Sequence, residues 1–171
     1  LETDETDPDK STLLIRYTSH YSEEESYLRP AVKIEMGARS DTWPSEGITI
    51  YTMLSEGLPK VVERQGILVQ ALSPIRTFWE KAMLLHEENF RPENKKRKMH
   101  MARHYYDLWC LINEGVAAKA AKDTALFESI ADHRQVFFCQ KWVDYGTLKK
   151  GSLRILPQTG EELLWQEDYE A

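Results

Sequence analysis

Three groups of residues in this chain combine reactive side chains with a spacing that could put them to use. Lys81 lies within SPIRTFWEKAMLLH, from Ser73 to His86. A lysine at the edge of an apolar helical stripe can lay its stem along the core and aim its ammonium at a phosphate. The same placement describes an ordinary snorkelling lysine, and spacing alone does not separate the two. Arg103 and Asp107 stand four apart, so on a helix they can pair, contributing about 0.3–0.5 kcal/mol. Alternatively Asp107 holds a metal or orients a nucleophile, with Arg103 near a phosphate. His100, His104 and Asp107 fall at i, i+4 and i+7, a helical spacing that could hold zinc. No Glu follows His100, as a metalloprotease motif requires, and no further ligand is evident, which makes zinc the weaker reading.

Around these positions runs a basic strip. Between Arg91 and Arg103 there are six Lys or Arg residues (Lys95, Lys96, Arg97 and Lys98 among them) against one acid, Glu93. The strip suits an anionic partner, or is simply a solvated loop and helix start. The whole chain carries a formal charge of -6, its acids gathered at the two ends and in Glu23–Glu25. A net negative body argues against nucleic acid, but the strip can still contact phosphates locally.

The elements that must position these groups change in character along the chain. Residues 1–12 have too few apolar side chains to pack and read as a disordered tail. Residues 13–72 are strand-rich: Leu13–Thr18, Ala31–Arg39, Ile48–Leu54 and Ile67–Leu72, separated by Gly, Pro or Ser. In the second, Val32, Ile34 and Met36 alternate with Lys33 and Glu35, which predicts a core face and a polar face. A short helix is expected within Leu54–Gln65, with Pro59 near its start.

Residues 73–171 read as mainly helical and packed on that part. Ser73 is a good N-cap and Pro74 suits the first helical position. Ile75, Phe78, Trp79, Ala82, Leu85 and His86 form one stripe at helical spacing. The loop Arg91–Lys96 ends this helix. The next is expected to bury Met99, Ala102, Tyr105, Tyr106, Trp109 and Ile112, with His100, Arg103, His104 and Asp107 opposite and Gly115 as the stop. A third helix is expected from about Ala117 into Asp132, and a short one near Cys139. Ser152–Leu156 reads as a strand or extended segment, and Glu161–Tyr169 as a short polar helix. Strands followed by helices predict an α+β fold, a short-stranded sheet with a C-terminal helical bundle.

Bulk properties narrow the class. At 171 residues, 42% hydrophobic and 29% charged, the chain suits one globular domain. No apolar run reaches the roughly 18 residues needed to span a bilayer, and the polar, acidic start does not read as a secretory signal. Cys110 and Cys139, in apolar patterns without metal or redox spacing, are expected to be reduced core thiols in a cytoplasmic protein. No GxxxxGK[ST] or GxGxxG occurs, and Asp7 and Asp9 flank Pro8 in a polar tail without a strand to hold them.

Three segments, VKIEMGARSD (Val32–Asp41), LSPIRTFWEKAMLLH (Leu72–His86) and RHYYDLWCL (Arg103–Leu111), resemble the AbiEii-type nucleotidyltransferase toxins of type IV toxin–antitoxin and phage-defence (abortive infection) operons. GSLRILP (Gly151–Pro157) and the terminal EDYEA extend the likeness more weakly. The resemblance implies a magnesium-dependent transfer of a nucleotidyl group from a nucleoside triphosphate to RNA, with tRNA as the acceptor considered first. It makes Lys81 and Asp107 the catalytic pair, with Glu35 as a third carboxylate. Asp107 and Glu35 would be the candidate magnesium ligands. Arg103, His104, Lys95, Lys96, Arg97 and Lys98 would face nucleotide or RNA. A cognate antitoxin is the implied protein partner, and self-association is a further expectation. The family's Gly-Gly-Ser/Thr turn and Asp-x-Asp strand have no match in residues 1–30, and the chain opens on Leu1. The expectation is therefore a C-terminal portion, inactive alone. The alternative is a non-catalytic module that binds RNA or antitoxin.

Overall fold

The computed structural model describes residues 2–3, 11–18, 30–37 and 41–170. The fold is α+β: short antiparallel strands in two small sheets, and six α-helices among the described residues. The chain divides between Asp41 and Thr42 into two compact units. The expected passage from strand-rich to helical sequence at 72/73 falls within the second unit, which holds the second hairpin together with the helices.

The first unit holds strands β1 (Glu2–Thr3), β2 (Thr12–Arg16) and β3 (Ala31–Glu35), in the order β1-β2-β3. Leu13 pairs with Ile34 and Ile15 with Val32, so apolar residues meet across the ladder, β-branched on both strands in the second pair. Glu2 and Thr3, inside the segment expected to be disordered, pair with Leu14 and Leu13; residues 4–10 of that segment lie outside the described residues. The expected core face of β3 is not buried: Val32, Ile34 and Met36 are all exposed. Alternation specifies two faces, but burial needs a second layer, and no helix lies among the described residues of this unit.

The second unit begins with an antiparallel hairpin, β4 (Ser45–Ile50) and β5 (Ile67–Leu72), in register from Ser45 opposite Leu72 to Ile50 opposite Ile67. Between them lies α1 (Met53–Gly57), whose N-cap Thr52 accepts the Ser55 amide at 3.2 Å. This helix precedes Pro59 instead of starting there, because Thr52, two residues past the end of β4, caps its first turn.

Helix α2 (Pro74–Glu88) is the central element. Ser73 caps it and Pro74 opens it, as the sequence predicts. Phe78, Trp79, Ala82, Met83, Leu85 and His86 are all buried. Trp79 packs edge-on against Phe78 and Phe127, with ring centroids 5.0 and 4.8 Å apart, and donates to Ala120 O at 3.3 Å. These contacts draw in α4 (Val116–Ala120) and α5 (Thr124–Phe137). The single helix expected from Ala117 to Asp132 is two helices, because Asp123 accepts the Leu126 amide at 3.0 Å and starts a new one. Near Cys139 there is no helix. The next helical element is a 3-10 turn at Tyr145–Thr147, and Cys139 is exposed whereas Cys110 is half-buried. Both are free thiols rather than core residues.

Helix α3 (Arg103–Asn113) crosses α2. Its buried side is Leu108 with half-buried Tyr105 and Leu111, preceded by buried Met101 and Ala102. Tyr106, Trp109 and Ile112, expected inside, are 52%, 59% and 54% exposed, and Met99 is exposed too. The helix carries two adjacent apolar stripes, and α2 covers the one a turn of 100° away. Gly115, at φ 71°, ends the helix where only a left-handed residue fits. Ser152–Leu156 forms no strand; it is the extended alternative, fixed by Tyr105 Oη donating to Ile155 O at 2.8 Å and Asn89 Nδ2 to Arg154 O at 2.7 Å. Finally α6 (Glu162–Glu170) buries Trp165 edge-on against Tyr105, 4.9 Å between centroids.

Candidate active site

Lys81 projects from the middle of α2 and Asp107 from the second turn of α3, and they meet. Lys81 Nζ donates to Asp107 Oδ2 at 2.6 Å, with side chains 24% and 38% exposed. A pair this short across two helices, half-shielded but open to solvent, is unlike a solvated rim contact. Asp107 therefore turns to Lys81, not to Arg103 along its own helix.

His104, one turn before Asp107, completes the cluster. Its Nδ1 lies 3.4 Å from Lys81 Nζ and 3.7 Å from Asp107 Oδ2. Burial, then the charges of Lys81 and Arg103, hold the ring below the ordinary histidine range, against the pull of Asp107. At neutral pH the ring is uncharged. His104 was read from sequence as an RNA or nucleotide contact. Its packing against Lys81 was not legible, because 23 residues separate them and only the crossing of α2 and α3 brings them together.

His100 does not join the cluster. It stands before α3 begins, at φ 61°, so the helical i, i+4, i+7 spacing with His104 and Asp107 is not realised. Its amide and that of Ala102 both donate to Asp168 of α6 at 2.7 Å, and α6 thereby caps the start of α3. Glu35 belongs to the first unit, where it is exposed and paired with Lys33 at 2.6 Å.

A magnesium ion takes about six oxygen ligands in strict octahedral array. The cluster offers one carboxylate, with Oδ2 already against an ammonium, plus an imidazole. These side chains do not form a magnesium cage. Among the described residues no group of three His, Cys, Asp or Glu is gathered closely enough to hold a metal ion.

The basic strip folds into a cleft of roughly 370 Å³, lined by Arg91, Pro92, Glu93, Lys95–Met99, Glu161, Leu164 and Asp168. Two of its cations are structural. Arg91 chelates Glu88 at 2.5 and 2.6 Å, and Arg97 reaches Glu161 at 3.2 Å while lying 4.0 Å over the Trp165 ring. Lys95 sits 4.2 Å over Trp142. Lys96, Lys98 and Arg103 are exposed. Of the six residues expected to face RNA or nucleotide, the structure thus commits Arg97 to internal pairing, turns His104 toward Lys81, and leaves Lys95, Lys96, Lys98 and Arg103 exposed.

A family model described as nucleotidyl transferase AbiEii toxin, type IV TA system, matches residues 1–171. Neither curated proteins nor solved structures supply a match.

Proposed function

The chain belongs to the AbiEii nucleotidyl transferase toxin family of type IV toxin–antitoxin systems, and on that premise we propose that it takes part in nucleotidyl transfer from a nucleoside triphosphate to an RNA acceptor, tRNA first among them. The observation that carries the reading is the 2.6 Å contact between Lys81 and Asp107. In such a transfer an acceptor hydroxyl oxygen attacks the α-phosphorus, the bond to the bridging oxygen breaks, and pyrophosphate leaves. Lys81 binds the triphosphate and offsets the charge that gathers on the departing pyrophosphate. Asp107 holds the ammonium in place. Exposed Lys96, Lys98 and Arg103 take the phosphates of the acceptor strand.

The divalent metal of the reaction would lie on carboxylates other than Asp107. No Gly-Gly pair occurs in the 171 residues, and their one Asp-x-Asp, at Asp7–Asp9, lies outside the described residues. We therefore expect transfer only when a segment carrying a Gly-Gly-Ser/Thr turn and an Asp-x-Asp strand is supplied. The family also implies an antitoxin partner. A second reading, an antitoxin-binding module without chemistry, is favoured by the exposed Tyr106–Trp109–Ile112 stripe.

The test is a label-transfer assay with nucleoside triphosphates, magnesium and bulk tRNA, using this chain alone and mixed with that segment. Label on RNA in the mixture, lost in Lys81→Ala and Asp107→Ala, supports transfer. No label from a mixture shown to assemble favours the binding module.

A further inference from the structure

We propose that His104 is a positioning residue for Lys81: its neutral ring accepts one ammonium hydrogen at Nδ1 while Asp107 accepts another, leaving the third for the triphosphate. The inference rests on Lys81 being the triphosphate-binding group. An ammonium can only donate, so the 3.4 Å approach of Nδ1 to Lys81 Nζ requires a lone pair on Nδ1 and places the ring proton on Nε2. Nδ1 and Asp107 Oδ2 lie 3.7 Å apart and converge on the same nitrogen. They are offset by one helical turn, so the two acceptors approach Nζ from different directions. A lysine held by one acceptor can still swing about it; a second acceptor removes that freedom.

The packing agrees with this role. The His104 side chain is 13% exposed and turned toward Lys81, which does not suit a residue reaching for RNA. A proton on Nδ1 would meet the Lys81 charge directly and displace it from Asp107. At 3.4 Å the bond is long, so its effect is a modest sharpening of Lys81 placement, not the source of the site's affinity.

The contact is read on the full chain labelled with ¹⁵N-histidine, by two-bond proton–nitrogen correlation, beside Lys81→Met. The expected result is the Nε2–H form of His104, with an Nδ1 resonance that moves to the position of an unbonded nitrogen in Lys81→Met. A protonated Nδ1, or an Nδ1 resonance unmoved by Lys81→Met, would overturn the proposal. Calorimetry with inorganic tripolyphosphate supplies the second readout. His104→Phe should bind about fivefold more weakly, whereas His104→Asn, whose amide oxygen can replace Nδ1, should stay within about twofold. His104→Phe binding like the parent while Lys81→Met loses binding would also overturn it. Tripolyphosphate binding unchanged in Lys81→Met, or absent from the parent, would instead sink the reading of Lys81, and the nitrogen resonances decide the His104 contact in either case.

Discussion

Lys81 and Asp107 meet at 2.6 Å although neither is deeply buried, so the pair does more for placement than for folding. Lys81→Ala or Asp107→Ala should lower stability by no more than about 1 kcal/mol, read by thermal melting. In the assembled enzyme the same substitutions should each cost about a hundredfold or more in transfer rate. A second histidine sets a pH limit. His86 is fully buried; its Nδ1 accepts the Arg154 amide at 2.9 Å. Its Nε2 lies 3.0 Å from Thr147 Oγ1, whose own hydrogen goes to Asp144 O. The ring is therefore neutral, with its proton on Nε2. Burial, then the Arg154 charge, lowers its pKa in the folded chain, as burial first lowers that of His104. A depressed histidine pKa means that the unfolded chain binds more protons. Stability is thus full above about pH 6.5 and falls as the pH drops below it toward the folded values. Melting temperatures measured from pH 8 to 5 should decline in the acid half, and less steeply in His86→Asn. What each histidine contacts was beyond the sequence, since His104 meets Lys81 and His86 meets Thr147 and Arg154, all far apart in the chain.

At the level of elements, what local chemistry decides was legible and what packing decides was not. Ser73-Pro74 and Gly115 mark the ends of α2 and α3 through their own backbone preferences, and both ends fall where expected. The Asp123 cap that divides α4 from α5 was equally local and was overlooked. The buried face of α3 was not a local matter. Two apolar stripes compete there, and the choice is made by α2 and α6. One element contact hides in the polar residues. Arg134 of α5 donates from Nε and Nη2 to both oxygens of Glu87 on α2 at 2.7 Å, with both side chains 8% exposed. Breaking this buried pair with Arg134→Met should cost about 3–5 kcal/mol in denaturant unfolding, because Glu87 is left buried without its counter-ion. Glu87→Leu combined with Arg134→Met should recover most of that loss.

Across the whole molecule, charge is distributed against its sum. A body of net charge -6 presents exposed Lys96, Lys98 and Arg103, while Arg91 and Arg97 are occupied by Glu88 and Glu161. If the exposed cations take RNA phosphates, Lys96→Ala with Lys98→Ala should weaken RNA binding whatever its sequence. The slope of log affinity against log salt should fall by about one per lysine. Arg97→Ala should instead lower stability, through its lost pairing and the exposed Trp165 face. From sequence these five cations looked alike. Only the fold distinguishes the paired ones from those turned outward. Among the described residues no helix is long and apolar enough to cross a membrane.

The most direct test of the central claim is label transfer to tRNA by this chain mixed with a segment carrying the Gly-Gly-Ser/Thr turn and the Asp-x-Asp strand. The Lys81→Ala and Asp107→Ala chains, confirmed folded, run beside it. The account predicts label on RNA with the parent and its loss in both variants. Label that persists in either variant would contradict the assignment of Lys81 and Asp107 as the pair that serves the transfer.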